Sequence, residues 1–110
     1  MLTELRWEKE QELMREVFPD FCPFLEPRSF GFRGWLKGKR TGRVYRIFLE
    51  GSRESYPQVP PRVKIEPPVG PNWANYPERV LCVAQTWAPA RSTFANRLLV
   101  AVRYLDEVDG

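Results

Sequence analysis

Two cysteines, Cys22 and Cys82, are the side chains of this sequence best suited to nucleophilic chemistry. The 110-residue chain contains no histidine, so histidine-based triads, a histidine general base and imidazole zinc ligands are excluded. Two thiols alone do not make a structural zinc site within one chain. A thiolate is both a nucleophile and a leaving group, so the chemistry open to this chain is that of a reactive thiol.

The two cysteines lie in different surroundings. Cys82 follows a stretch that holds most of the eleven prolines and lies in the apolar run "VLCV". Prolines fix φ and remove backbone donors, which predicts a long irregular segment from Pro67 to about Leu81. Cys22 lies in "FPDFCPFLEP", which we interpret as an apolar loop packed on the core, with Cys22 as a small buried hydrophobe. An isolated cysteine in an apolar run is commonly structural too, so position alone does not make Cys82 catalytic.

The elements that must position these residues follow from hydrophobic periodicity. Residues 3–18 predict an amphipathic helix capped by Thr3, with Leu5, Leu13, Val17 and Phe18 as its apolar residues. Three strands of an antiparallel meander are expected, and the first two are joined by a turn at "KGKRTG". A final helix over 93–108 is capped by Ser92 or Thr93. The expected strands are "SFGFRGWLK", "RVYRIFLE" and "RVKIE". The apolar stripe of the last helix consists of Phe94, Leu98, Ala101, Val102 and Leu105.

These elements predict one α+β domain over residues 1–110, with one sheet face packed on the final helix. The residues expected to be largely buried are Trp35, Tyr45, Ile47, Val63, Leu98 and Val102.

Composition and the N-terminus restrict the class of protein. No apolar run has the length of a membrane span, and the first 18 residues lack the apolar centre of a secretory signal. We therefore expect a cytoplasmic location and reduced thiols rather than a disulfide. The net charge is only +3.

Four short motifs resemble segments of ubiquitin-conjugating enzymes. "YPQVPPRVKI" (56–65) resembles the family's Tyr-Pro-x-x-Pro-Pro turn and following strand, and "GPN" (70–72) resembles its His-Pro-Asn motif. "VLCV" is similar to the segment that holds the catalytic cysteine, and "TWAPARST" is similar to the Trp-x-Pro-Ala segment before the next helix. The motifs follow the family's order, and the resemblance covers roughly residues 1–108.

The resemblance implies a carrier enzyme. Cys82 would accept the C-terminal glycine of a ubiquitin-like protein as a thioester and pass it to an amine or another thiol. Asn72 would stabilise the oxyanion by its place in "GPN", with Asn75 as a rival because the loop is longer here, and either asparagine could instead cap a turn. No cofactor and no metal are implied.

The resemblance also implies partner surfaces. The expected partners are a ubiquitin-like protein, an activating enzyme and possibly a ligase, with no nucleic acid or membrane, and the free chain would be a monomer. Arg6 and Trp7 would serve an activating enzyme, although they could equally be a solvated charge and a core aromatic. The residues expected to bind partners are Arg6, Trp7, Tyr56, Pro57, Pro60, Pro61, Trp87 and Pro89.

The sequence departs from the family pattern in four ways. Gly70 replaces the family's histidine, the interval from Asn72 to Cys82 is longer, and the interval from Cys82 to Trp87 is shorter. The sequence also ends where the family's two C-terminal helices would be expected to follow. These departures resemble compact prokaryotic members of the superfamily. They also leave open an inactive interaction scaffold with the same fold. A third alternative is a basic nucleic-acid-binding β domain. The distribution of the basic residues argues against it, because they are scattered among acidic residues and form no clear stripe.

Overall fold

The computed structural model describes residues 1–66, 80–81 and 87–108. Within these ranges the chain forms an N-terminal helix, an antiparallel sheet and a C-terminal helix, which confirms the predicted α+β class. The described ranges contain no helix that is long and apolar enough to cross a membrane. The elements are α1 (Glu4–Val17), β1 (Cys22–Leu25), β2 (Ser29–Lys37), β3 (Val44–Ser52), β4 (Arg62–Glu66), β5 (Val80–Leu81) and α2 (Phe94–Val108).

The sheet is an antiparallel meander with strand order β1-β2-β3-β4-β5 among the described residues. The predicted turn between β2 and β3 is confirmed: the Gly38 amide donates to the Arg43 carbonyl at 2.8 Å. Gly42 adopts φ +70° in this turn, a conformation that glycine reaches without steric cost. In β3, Tyr45, Ile47 and Leu49 are all buried, as the alternation predicts.

The prediction of three strands was too low in two places: the segment predicted as an apolar loop contains strand β1, and Val80–Leu81, at the end of the segment predicted to be irregular, form β5. Cys22 of this strand pairs with Arg33 of β2, and Leu25 pairs with Phe30. Pro23 cannot donate a hydrogen bond to a ladder, but an edge strand tolerates it, which is why the proline did not prevent pairing. The expected burial of Cys22 is also wrong, because the thiol is exposed at the sheet edge.

One core lies between the sheet and the two helices. Tyr45, Ile47, Val63 and Leu98 are buried as predicted, whereas Trp35 is 64% exposed. Successive residues of a strand point to opposite faces. Because Phe30 and Phe32 point inward, odd-numbered residues of β2 such as Trp35 point outward.

Helix α1 has the predicted position, but only two of its four predicted apolar residues, Leu13 and Phe18, pack against the core. Thr3 caps it by accepting a hydrogen bond from the Arg6 amide at 3.1 Å. Leu5 is 78% exposed, whereas Glu10 and Met14 are buried. Trp7 is partly buried against the core. The aromatic ring of Trp7 sets the rotation of the helix, since burying it removes more apolar surface from water than burying Leu5 would.

Helix α2 begins with a reciprocal cap. The Thr93 hydroxyl accepts from the Asn96 amide at 3.2 Å, while the Asn96 side chain accepts from the Thr93 amide at 3.0 Å. The predicted stripe is buried at Phe94, Leu98, Ala101 and Leu105, but Val102 is only half-buried. The capping residue and the stripe together fix which side of α2 faces the sheet.

Candidate functional site

The predicted catalytic residues Asn72, Asn75 and Cys82 lie outside the described residues. The structure does describe the segments around them. Val80 and Leu81 pair with Lys64 and Val63 of β4, so the residue that precedes Cys82 in the sequence lies at the edge of the sheet.

The proline turn at 56–61 contacts the segment that begins at Trp87. The Trp87 indole nitrogen donates to the Pro57 carbonyl at 2.6 Å, and the rings of Trp87 and Tyr56 lie 5.9 Å apart. The Arg97 guanidinium lies over the Trp87 ring, 5.4 Å from its centroid. These contacts hold together two segments that are thirty residues apart in the sequence. We use the term junction for these two segments together with the Arg6 side chain, which bonds to both.

Arg6 ties α1 to both sides of the junction. Its guanidinium donates to the Pro89 carbonyl at 3.0 Å and to the Ser92 carbonyl at 2.7 Å. It also donates to the Tyr56 hydroxyl at 3.1 Å. A planar guanidinium suits this task because its donors diverge in a fixed fork. The Arg6 side chain is therefore used inside the protein, with 19% of it exposed.

Glu10 is a fully buried carboxyl beneath the junction. Its Oε2 accepts hydrogen bonds from the Tyr56 hydroxyl and, at 3.4 Å, from the Phe94 amide, and it lies 3.8 Å from Arg6 Nε. Its Oε1 has no hydrogen-bond partner among the described residues. A buried carboxyl with only one solvated or bonded oxygen is costly to ionise.

The electrostatics of the pair follow from burial. Desolvation raises the pKa of Glu10, and the hydrogen bond from Tyr56 and the charge of Arg6 oppose that increase. Burial likewise raises the pKa of the Tyr56 phenol, and the Glu10 charge raises it further. Tyr56 therefore remains a neutral donor to Glu10.

The predicted partner-binding residues do not all lie at the junction surface. Tyr56 is 0% exposed, and the buried Pro61 uses its carbonyl to accept from Arg97 Nε at 3.5 Å. The Trp7 ring packs on Phe30 and Phe32. Partly exposed residues of the predicted set are Pro57, Pro60, Trp87 and Pro89.

Sequence reasoning missed Glu10. It is one of several glutamates in a highly charged helix, where a solvated carboxylate is the usual interpretation. The signal was present in its spacing, because Glu10 lies three residues after Trp7 and four before Met14. Residues at these intervals share one helix face.

Cys22 is the thiol whose surroundings the structure describes. It lies beside a surface depression that is also lined by Met14, Phe21 and Phe32. The part of the chain covered by the structure holds no cluster of acidic or cysteine side chains arranged for a metal ion.

Comparison of the chain with protein families, with curated proteins and with solved structures gives no significant match. Function must therefore be argued from the fold, the junction and the sequence motifs.

Proposed function

We propose that this chain is a carrier similar to ubiquitin-conjugating enzymes, which accepts a ubiquitin-like protein as a thioester on Cys82 and transfers it to an amine or thiol. The observation that supports the proposal is the junction. Two of the four segments that resemble the family, the turn at 56–61 and the segment at 87–90, bond directly to each other, and Arg6 of α1 bonds to both.

In the proposed reaction, the Cys82 thiolate attacks the thioester carbonyl carbon held by the activating enzyme. A new carbon–sulfur bond forms, the old one breaks, and the thiol of the activating enzyme leaves. In the second step an amine attacks the same carbon, the Cys82 thiolate leaves, and the amine loses its proton to solvent. Each step places negative charge on the carbonyl oxygen, where the amide of Asn72, or of Asn75, would donate a hydrogen bond.

In this proposal, the predicted partner-binding residues at the junction have two different roles. Arg6, Tyr56 and Pro61 use their polar atoms inside the protein, so their role is to hold the surface. Pro57, which accepts the hydrogen bond from Trp87, and Pro89 are partly exposed. A rigid, partly apolar surface of this kind suits an activating enzyme or ligase, because little conformational freedom is lost on binding.

The proposal is tested by charging. Incubated with ATP and with a ubiquitin-like protein and activating enzyme encoded beside its gene, the chain should form an adduct that survives denaturant but is cleaved by excess thiol. Cys82→Ser should abolish this adduct or replace it with a thiol-resistant oxyester, since a hydroxyl is a poorer nucleophile and leaving group. Cys22→Ser is the matched control and should charge normally.

Two results would contradict the proposal. If Cys82→Ala formed the same thiol-sensitive adduct through Cys22, the site would be wrong. If no adduct formed although the activating enzyme was itself charged, the chain would be an interaction scaffold without turnover.

A further inference from the structure

The sheet face turned away from both helices, here called the outer face, gathers the positive charge of the chain. Strand alternation places five basic side chains on it, Arg33, Lys37, Arg46, Arg62 and Lys64, against two acidic ones, Glu50 and Glu66. This excess of three equals the formal net charge of the whole protein. The rest of the chain therefore has no formal net charge, and an anionic partner is drawn to this face.

The strand register orders these charges into rows. Arg33 pairs with Phe48, which pairs with Lys64, so one row crosses the sheet with a basic residue on each side of an aromatic ring. Glu50 lies in the row on one side of it and Glu66 in the row on the other. A polyanion that follows the Arg33–Lys64 row passes between the two carboxylates.

Aromatic rings and guanidinium groups stack across the same face. The Arg46 guanidinium lies 4.5 Å from the Phe48 ring centroid and 5.9 Å from that of Trp35. The Arg33 guanidinium lies 4.7 Å from the Phe24 ring centroid. Trp35 itself is 64% exposed. Exposed indole rings and guanidinium planes are the surfaces on which unpaired bases stack.

We propose that the outer face binds a single strand of nucleic acid, with phosphates contacting Arg33 and Lys64 and a base stacking on Trp35. Charge complementarity alone would also suit an acidic polypeptide. The exposed Trp35 favours nucleic acid, because carboxylates gain nothing from an aromatic face whereas every base has a π-face. The inference is independent of the chemistry proposed for Cys82.

This basic surface is not apparent in the sequence. Read along the chain, Arg62 and Lys64 alternate with apolar residues, and Arg33 and Arg46 lie in separate strands, so no basic run is visible. The expectation that nucleic acid is not a partner was based on that scatter. The period of two and the strand register bring the scattered charges together.

The test is fluorescence anisotropy of a labelled oligo(dT) of about twelve nucleotides, a length within the range of single-strand binding sites. The intact chain should bind it, with a log–log dependence of Kd on salt of about 1.4, as expected for the two phosphate contacts of Arg33 and Lys64. Trp35→Ala should weaken binding roughly tenfold, while Trp35→Phe should retain most of it.

The basic row is tested separately. Arg33→Ala and Lys64→Ala should each reduce the salt slope by about 0.7. Arg103→Ala is the matched control, because Arg103 is exposed on α2 and lies off the outer face. It should leave the slope unchanged. In a Cys82→Ser background, saturating oligo(dT) should also slow alkylation of Cys22, which pairs with Arg33 across β1 and β2.

Three results would overturn the inference. The first is absence of binding at low salt. The second is binding that Trp35→Ala leaves unchanged or that a duplex of equal length matches, which would reduce it to general charge attraction. The third is stronger binding to poly-glutamate than to oligo(dT), which would assign the face to an acidic polypeptide.

Discussion

At the residue scale, the most informative side chain is Glu10. It is buried, it accepts from Tyr56, and one of its oxygens lacks a hydrogen-bond partner within the described residues. Ionisation of a carboxyl that is buried in this way lowers the stability of the folded state.

Replacing Glu10 by glutamine should change the pH dependence of stability. The folded pKa of Glu10 is raised above its ordinary value of 4.5, so the folded state binds the proton more tightly than the unfolded state does. Its contribution is therefore fully present below pH 4.5 and is lost as the pH rises through the folded pKa. Because glutamine does not titrate, Glu10→Gln should gain stability relative to the parent protein from pH 4.5 to neutral pH.

Urea unfolding of the two proteins across this range measures the difference. Glu12→Gln, at an exposed position of the same helix, is the control and should follow the parent protein. A difference between Glu10→Gln and the parent that is constant with pH would contradict the assignment.

The burial of individual residues could be predicted where the strand alternation was regular. The prediction failed where one large residue determined the packing. Tyr45, Ile47 and Val63 were predicted correctly because their strands alternate strictly. Trp35 was predicted to be buried, yet the neighbouring phenylalanines of β2 fix it on the outer face. Glu10 could not be predicted from composition, since its burial depends on a tyrosine 46 residues away.

At the element scale, Arg6 is the side chain of α1 that donates hydrogen bonds to both segments of the junction. Arg6→Ala removes three hydrogen bonds to the junction and leaves Glu10 without its nearest charge. The free energy of unfolding should fall by about 2 kcal/mol or more, because hydrogen bonds to charged groups are worth more than neutral ones. Denaturant unfolding measures the loss.

Arg15→Ala is the control for this prediction, because Arg15 is exposed near the end of the same helix. It should change stability by about 0.5 kcal/mol or less. If Arg6→Ala had an equally small effect, the junction would not depend on α1.

Helix α2 offers a comparison between adjacent leucines. Leu98 is fully buried, while Leu99 is 41% exposed. Leu98→Ala should cost about 2–5 kcal/mol through lost burial and the cavity left behind, and Leu99→Ala should cost less than about 1 kcal/mol. Thermal or urea unfolding of the two variants measures these losses of stability. Equal losses would mean that α2 is rotated from the orientation described.

The elements show why a proline-rich sequence is hard to interpret. Both helices and three strands were predictable from periodicity, but β5 was not, and neither was β1, which lies in a segment interpreted as a loop. Pairing with the long strand β2 supplied the hydrogen bonds that local propensity did not predict.

At the scale of the whole molecule, the protein has two distinct sides. The helices and the junction cover one face of the sheet, and the opposite face is basic and aromatic. The proposed chemistry belongs to the segment that follows β5, and the proposed nucleic-acid surface belongs to the outer face. The two proposals therefore stand or fall separately.

The central claim is that Cys82 carries the acyl group. After charging, free thiols are blocked in denaturant with N-ethylmaleimide, the thioester is cleaved with hydroxylamine, and the released thiol is labelled with iodoacetamide. Trypsin then separates the two cysteines, since cleavage after Arg79 and Arg91 releases residues 80–91 and cleavage after Arg15 and Arg28 releases residues 16–28. Mass spectrometry should find the second label on the 80–91 peptide alone. The second label on the 16–28 peptide, or on neither peptide from a chain that had formed the adduct, would contradict the account.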